Sequence, residues 1–221
     1  MKNSFELNAG RPSRRWLLAM AAVSAVWPMP SEAQEIGHAT EAQKPISELY
    51  AGLQTVMQMG STGATFQQRF DRLAPVIDRV FNLDAILRTS VGLRWSSLDD
   101  ASRRDLFNVF RTFTIASYTA NFDSNGGERV QVLPQTRPSG DELIVESRLI
   151  PANGDPVRLD YVMHAGPTGL QIVDVLLNGS ISKVAVQRSD FRALLASGSA
   201  TPLIASLRQK VSDLSGGAMR S

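Results

Sequence analysis

The stretch from Pro156 to Phe191 constrains this chain more than any other. Val157, Leu159, Tyr161 and Met163 alternate with Arg158 and Asp160, the period of a strand with one buried face. Gly166-Pro167-Thr168-Gly169 is a turn signal, so a second strand pairs back on the first. That second strand, Leu170 to Leu177, is almost continuously apolar and should be covered on both faces. After Asn178-Gly179, the residues Ile181, Val184, Ala185, Arg188, Phe191, Leu194 and Leu195 recur at helical spacing. A hairpin therefore feeds a helix that folds back over a curved sheet.

Upstream, the chain reads as helices. Pro45 suits the first turn of one with an apolar stripe of Ile46, Leu49, Leu53, Val56 and Met57, broken by Gly60-Ser61-Thr62-Gly63. Thr65 caps the next, with Pro75 inside its pattern as an expected kink or restart. A short helix runs from Asn82 or Leu83 to about Gly92. The longest starts near Ser97 and reaches about Phe122, with apolar residues on more than one face. Such a helix is central to a core, or has one face on the core and another on a cavity.

Strand signals follow at Glu128 to Leu133 and at Glu142 to Ile150, before the opening hairpin. Asn153-Gly154 between two strands is a strong hairpin signal. Two helices close the chain, at about Ser182 to Ala196 and Pro202 to Leu214. The expected fold class is α+β: N-terminal helices, a four-stranded antiparallel curved sheet, then C-terminal helices.

The N-terminus has Arg14-Arg15 before a short apolar run ending at Trp27, and the small residue Ala33 after Pro28 and Pro30. This is the layout of a signal peptide, here of the twin-arginine type, with cleavage near Ala33. The run is well short of the roughly 20 apolar residues a membrane span needs. The expected organisation is a signal peptide over 1–33, a flexible arm over 34–44, one domain over 45–215 and a flexible tail over 216–221. The formal charge of +2 owes everything to the leader, which holds Lys2, Arg11, Arg14 and Arg15 against Glu6 and Glu32. The remainder is neutral, and no basic cluster interleaves with aromatics as a nucleic-acid partner would need. There is no cysteine, so the exported form has neither disulfides nor a lipid-modified cysteine.

Catalytic equipment is sparse. The chain has two histidines, His38 in the arm and His164 at a strand end, too few for a zinc or iron site. No Gly-x-Ser-x-Gly elbow or phosphate loop is present. A carboxylate pair could be drawn from Asp160, Asp174 and Glu146. However, Arg158 on the same strand and Arg148 on the neighbouring one favour cross-strand ion pairing. Asp174 interrupts an apolar strand and should accept from an arginine or from backbone N–H groups. No catalytic residue, metal or cofactor is expected.

Asp160-Tyr161, Val173-Asp174-Val175, Gly179-Ser180-Ile181-Ser182 and Gln187-Arg188-Ser189-Asp190-Phe191 resemble the signature of the toluene-tolerance (MlaC) family of periplasmic lipid-binding transport proteins. Phe81-Asn82-Leu83-Asp84, Gly92-Leu93-Arg94-Trp95 and Leu203-Ile204-Ala205-Ser206-Leu207 extend the likeness over most of the chain. Ser117 to Ser124 and Val184 to Phe191 look most like its hopanoid-associated HpnM branch. One departure is Leu170, where many relatives carry tryptophan after the hairpin glycine. The resemblance implies a non-enzymatic periplasmic shuttle with an apolar lipid pocket between sheet and helices. Its cargo would be phospholipid or hopanoid. Its partners would be membrane-anchored lipid transport complexes in the inner and outer membranes.

Apolar residues beyond the needs of one core supply the candidate walls. They are Phe113, Tyr118 and Phe122 from the long helix, Tyr161 and Met163 from the third strand, Val175 and Leu177 from the fourth, and Val184 and Phe191 from the helix that follows. Tyr161 lies mid-strand, with its hydroxyl expected within reach of the cavity mouth. Two other readings fit the same layout: a cone-shaped pocket enzyme of the nuclear-transport-factor-like type, and an adaptor that binds only protein.

Overall fold

The computed structural model of the chain describes residues 32–123, 127–166 and 169–219, with side chains from residue 41 onward. Arg14, Arg15 and the rest of the leader to residue 31 lie outside the described residues.

Four helices come first: α1 (Glu32–Ser61), α2 (Phe66–Val80), α3 (Leu83–Val91) and α4 (Asp100–Asn121). Then come β1 (Arg129–Ser139), β2 (Glu142–Ile150), β3 (Val157–Gly166), β4 (Gly169–Leu177) and the two-residue β5 (Ile181–Ser182), before α5 (Lys183–Leu194) and α6 (Thr201–Leu214). The sheet is antiparallel in the order β1-β2-β3-β4-β5. The α+β layout is as expected, with five strands rather than four. β5 is too short to leave a periodic trace. It forms because Asn178 and Gly179 both adopt positive φ (53° and 73°), turning the chain so that Ile181 pairs with Leu177.

Local chemistry sets most boundaries. Thr65 and Gln68 form a reciprocal capping box at α2, Asn82 accepts from the Ala85 N–H at α3, and Asp99 accepts from the Ser102 N–H at α4. Three expectations give way. Backbone 34–44, expected as a loose arm, is helical as part of α1, so Pro45 lies inside α1 rather than at its start, and Ala42 is fully buried in the core. Pro75 does not restart α2, which runs unbroken to Val80, and Pro75 itself is exposed. β1 continues to Ser139 through Pro134 and Pro138. It is the outer strand of the sheet, where an absent N–H costs no ladder bond on the open side.

The core lies between the helices and one sheet face. Ile46, Leu49 and Leu53 of α1, Leu73 and Ile77 of α2, Leu106, Phe110 and Ile115 of α4, and Met163 and Ile172 of the sheet have essentially no exposed surface. α1 packs on α2 and β1, α4 on α2 and α6, and α3 on α5. Arg69 of α2 is also buried and donates to the Thr119 carbonyl at 2.9 Å. It thereby places a cation at the C-terminal end of α4, where the helix dipole favours one.

The other sheet face carries the charges. Arg158 grips Asp160 through two hydrogen bonds of 2.7 Å and reaches Glu146 at 2.6 Å. Asp160 is fully buried beneath this clamp, so its carboxylate is matched by a bidentate partner. Gly179 is needed here, because a Cβ at that position would come within 3.1 Å of the Arg158 guanidinium. The carboxylates therefore serve ion pairing. Arg148 is exposed on β2 and takes no part in this clamp.

Candidate functional site: an apolar cavity between sheet and helices

Two adjoining cavities open where the sheet diverges from the helices. The first, about 200 Å³, is walled by Phe81, Leu83 and Ile86 before and within α3, Phe110, Phe113 and Tyr118 of α4, Val175 of β4, and Val184 and Phe191 of α5. The second, about 340 Å³, is walled by Tyr50 and Leu53 of α1, Phe122 just past α4, Leu159 and Tyr161 of β3, and Leu177 of β4. It falls within the range of small-molecule pockets, about 300–1,000 Å³. Ser117, Tyr118, Val175, Lys183 and Val186 line both, so the two adjoin along one seam.

The seam has a defined chemistry. Tyr118 stacks on Phe122 at 6.3 Å and tilts against Phe81 at 5.5 Å, and the Lys183 ammonium sits 5.1 Å from the Tyr118 ring centroid. Burial pushes the Tyr118 phenol well above its ordinary pKa. Lys183 is exposed at the border of the void, with neighbouring protein still taking part of its water. That desolvation lowers its pKa, and the Asp174 carboxylate partly restores it. Lys210 of α6 reaches the first cavity with its ammonium 5.7 Å from the Phe113 ring centroid.

Asp174 explains why a carboxylate interrupts this strand. A register shift between Val162 and Met163 sets it opposite Val162, and its oxygens accept from the Ser182 hydroxyl, the Val184 N–H (3.0 Å) and the Val175 N–H (2.7 Å). Ser182 in turn caps α5 by accepting from the Ala185 N–H. Asp174 thus ties the start of α5 to the sheet edge, using N–H and O–H donors rather than an arginine.

In the second cavity the polar groups satisfy one another. Tyr50 and Tyr161 meet edge to face with hydroxyls 2.6 Å apart, and Tyr50 lies 3.3 Å from the Ser147 hydroxyl, which donates to the Leu159 carbonyl. The Tyr161 hydroxyl is therefore turned inward to Tyr50, not to a mouth. Burial raises the pKa of both phenols; at Tyr50 the bonds to Ser147 and Tyr161 work against that rise.

Exposed apolar surface collects at this cavity. Four large apolar side chains are exposed among the described residues, and three of them, Leu177 (41%), Ile181 (51%) and Val186 (49%), line the second cavity. Scattered single exposures need no explanation, but a cluster on a cavity rim marks a place where apolar matter is exchanged.

Of the nine expected wall residues, Phe113, Tyr118, Phe122, Tyr161, Val175, Leu177, Val184 and Phe191 line one cavity or both. Met163 lines neither; it is fully buried in the core. Sequence reasoning missed Phe81, Phe110, Tyr50, Leu53 and both lysines. Phe110 carried a signal, since it lies with Phe113 on a helix apolar around more than one face. His164 is exposed at the end of β3 and borders neither cavity. No group of three or more histidine, cysteine or acidic side chains is placed to hold a metal among the described residues.

A curved antiparallel sheet with an apolar void under its helices defines the pocket-bearing α+β domains. The family model described as MlaC protein matches residues 48–209, and the chain belongs to that family. The fold is similar to that of the phospholipid-binding protein from Ralstonia solanacearum, whose structure was solved in complex with a phospholipid. The TM-score is 0.66 at 19% identity, covering 79% of this chain and 98% of the other. No curated protein matches the chain.

Proposed function

We propose that this protein is a periplasmic lipid carrier that holds the acyl chains or ring skeleton of a membrane lipid in the paired cavities and moves it between inner and outer membranes. The observation that carries this reading is the paired apolar void with an exposed aliphatic rim of Leu177, Ile181 and Val186. Family membership and the phospholipid bound by a protein of like fold support it. The physics suits a carrier. Burying lipid is worth about 0.8 kcal/mol per CH₂, so two long chains represent roughly 25 kcal/mol gross, which blocks unaided passage through water. A dry pocket removes that barrier and needs no reaction. No helix among the described residues is long and apolar enough to cross a membrane. Phospholipid and hopanoid are the two cargo classes, and membrane-anchored transport complexes are the donor and acceptor.

Solvent extraction of the purified protein, followed by mass spectrometry, tests the carrier reading: about one lipid per chain is expected. Protein that holds none, even after incubation with donor membranes, overturns it. Export by residues 1–33 is tested separately. Replacing Arg14 and Arg15 by lysine should hold precursor in the cytoplasm, and intact mass should place the mature N-terminus at Gln34.

A further inference from the structure

Two exposed lysines stand at the edge of the first cavity. Lys183 and Lys210 both line it, each with its ammonium over an aromatic ring, at 5.1 Å from Tyr118 and 5.7 Å from Phe113. Neither makes a hydrogen bond or an ion pair with a described residue. The carboxylate in the wall is Asp174, and its oxygens are already occupied by the Ser182 hydroxyl and the Val175 and Val184 N–H groups. The Tyr118 hydroxyl also has no partner among the described residues. Lysine stems lie readily along apolar surface while keeping the head polar. Both side chains keep exposed surface at the cavity edge, so a wholly neutral occupant would gain nothing from either ammonium. An anionic oxygen would pair with them and strengthen as water leaves.

We propose that the first cavity selects an anionic headgroup, a phosphate or carboxylate oxygen attached to alkyl chains, held between Lys183 and Lys210 with the Tyr118 hydroxyl as a third donor. The alkyl part lies along Phe113, Val175 and Phe191 and across the seam into the second cavity. This deepens the carrier reading and rests on it. It assigns the cargo to acidic or phosphate-bearing lipid and disfavours a neutral polycyclic one.

The test uses the mature protein freed of bound lipid and two fluorescent probes, cis-parinaric acid and its methyl ester, which share one chain and differ in charge. The acid should bind at least about tenfold more tightly, the scale of one charge-assisted hydrogen bond. Lys183→Gln with Lys210→Gln should close that gap, and Lys183→Arg with Lys210→Arg should keep it. Circular dichroism confirms the fold of each variant. Equal binding of acid and ester by the wild type, or an unchanged gap in the glutamine variant, overturns the headgroup site and leaves the carrier reading standing. Binding of neither probe, together with absence of extractable lipid, overturns the carrier reading itself. Displacement of bound acid by phosphatidylglycerol assigns the site to a phospholipid phosphate; resistance to displacement assigns it to a free fatty-acid carboxylate.

Discussion

The two cavities share five wall residues and differ in how their polar groups are satisfied. The first is walled by four phenylalanines and bordered by two lysines that make no hydrogen bond or ion pair with a described residue. The second is walled by Tyr50 and Tyr161, whose hydroxyls bond each other, and rimmed by exposed aliphatic side chains. The ammonium groups meet only ring faces, whereas the phenols are hydrogen-bonded to each other. The difference separates an end suited to charge from an end suited to hydrocarbon, with Tyr118, Val175 and Lys183 between them.

The largest effect should come from the seam. Val175 borders both cavities and is only partly buried, so Val175→Trp should fill the junction without crushing core. We expect cooperative folding with most extractable lipid lost from both ends. Loss of folding with lipid per folded molecule unchanged would place Val175 in solid core, where overpacking costs about 1–3 kcal/mol.

Next in size is Phe191→Ala, in the wall of the first cavity alone. Phe191 is 3% exposed and meets Phe110 edge to face at 6.3 Å. Urea unfolding should show a loss of about 3 kcal/mol, the low end for such truncations because the site already borders a void. If the ends are separate in role, the acid probe should weaken much more than its ester. A matched loss of both would merge the two roles.

Asp174→Ala should cost about 1–3 kcal/mol, because the Ser182 hydroxyl and Val184 N–H lose their acceptor at the start of α5. Amide exchange should rise in the first turn of α5 and stay unchanged around Tyr50 and Tyr161. Equal loosening at both places would show one cooperative unit where two ends are drawn here.

The smallest effect concerns the phenols. Burial raises the Tyr50, Tyr118 and Tyr161 pKa values in the folded state. A raised folded pKa gives stability that is complete below the unfolded value of about 10 and is lost as pH climbs beyond it. Urea midpoints should therefore hold to about pH 9 and fall above about pH 10. Tyr161→Phe should soften that fall and cost about 0.5–1.5 kcal/mol at neutral pH, while leaving the acid–ester gap intact. A change in the gap would tie the tyrosine pair to headgroup binding.

Element types and most boundaries were legible in the chain, because these are local or periodic properties, and eight of the nine candidate residues lie on the cavity walls. Capping at Thr65, Asn82 and Asp99, alternation along β3 and the Asn153-Gly154 turn act within a few residues of chain. The expectation that Asp174 must accept from N–H groups or an arginine followed from the cost of burying a bare carboxylate. Other features depend on contacts between distant parts of the chain. Met163 and Tyr161 lie on the same face of β3, yet Met163 is solid core while Tyr161 walls a cavity, because the bulge opposite Met163 and the bridge from Phe81 to Ile172 close that end of the sheet. Pro45 could begin or interrupt a helix equally well by its own chemistry; packing of α1 against α2 and the sheet chose the interior position. Lys183 and Lys210 are 27 positions apart and look like ordinary surface residues in the sequence. Only the packing of α6 on α4 and of α5 on α3 and β4 brings both to one cavity, since the meeting of distant side chains is set by tertiary packing and leaves no periodic mark on the chain.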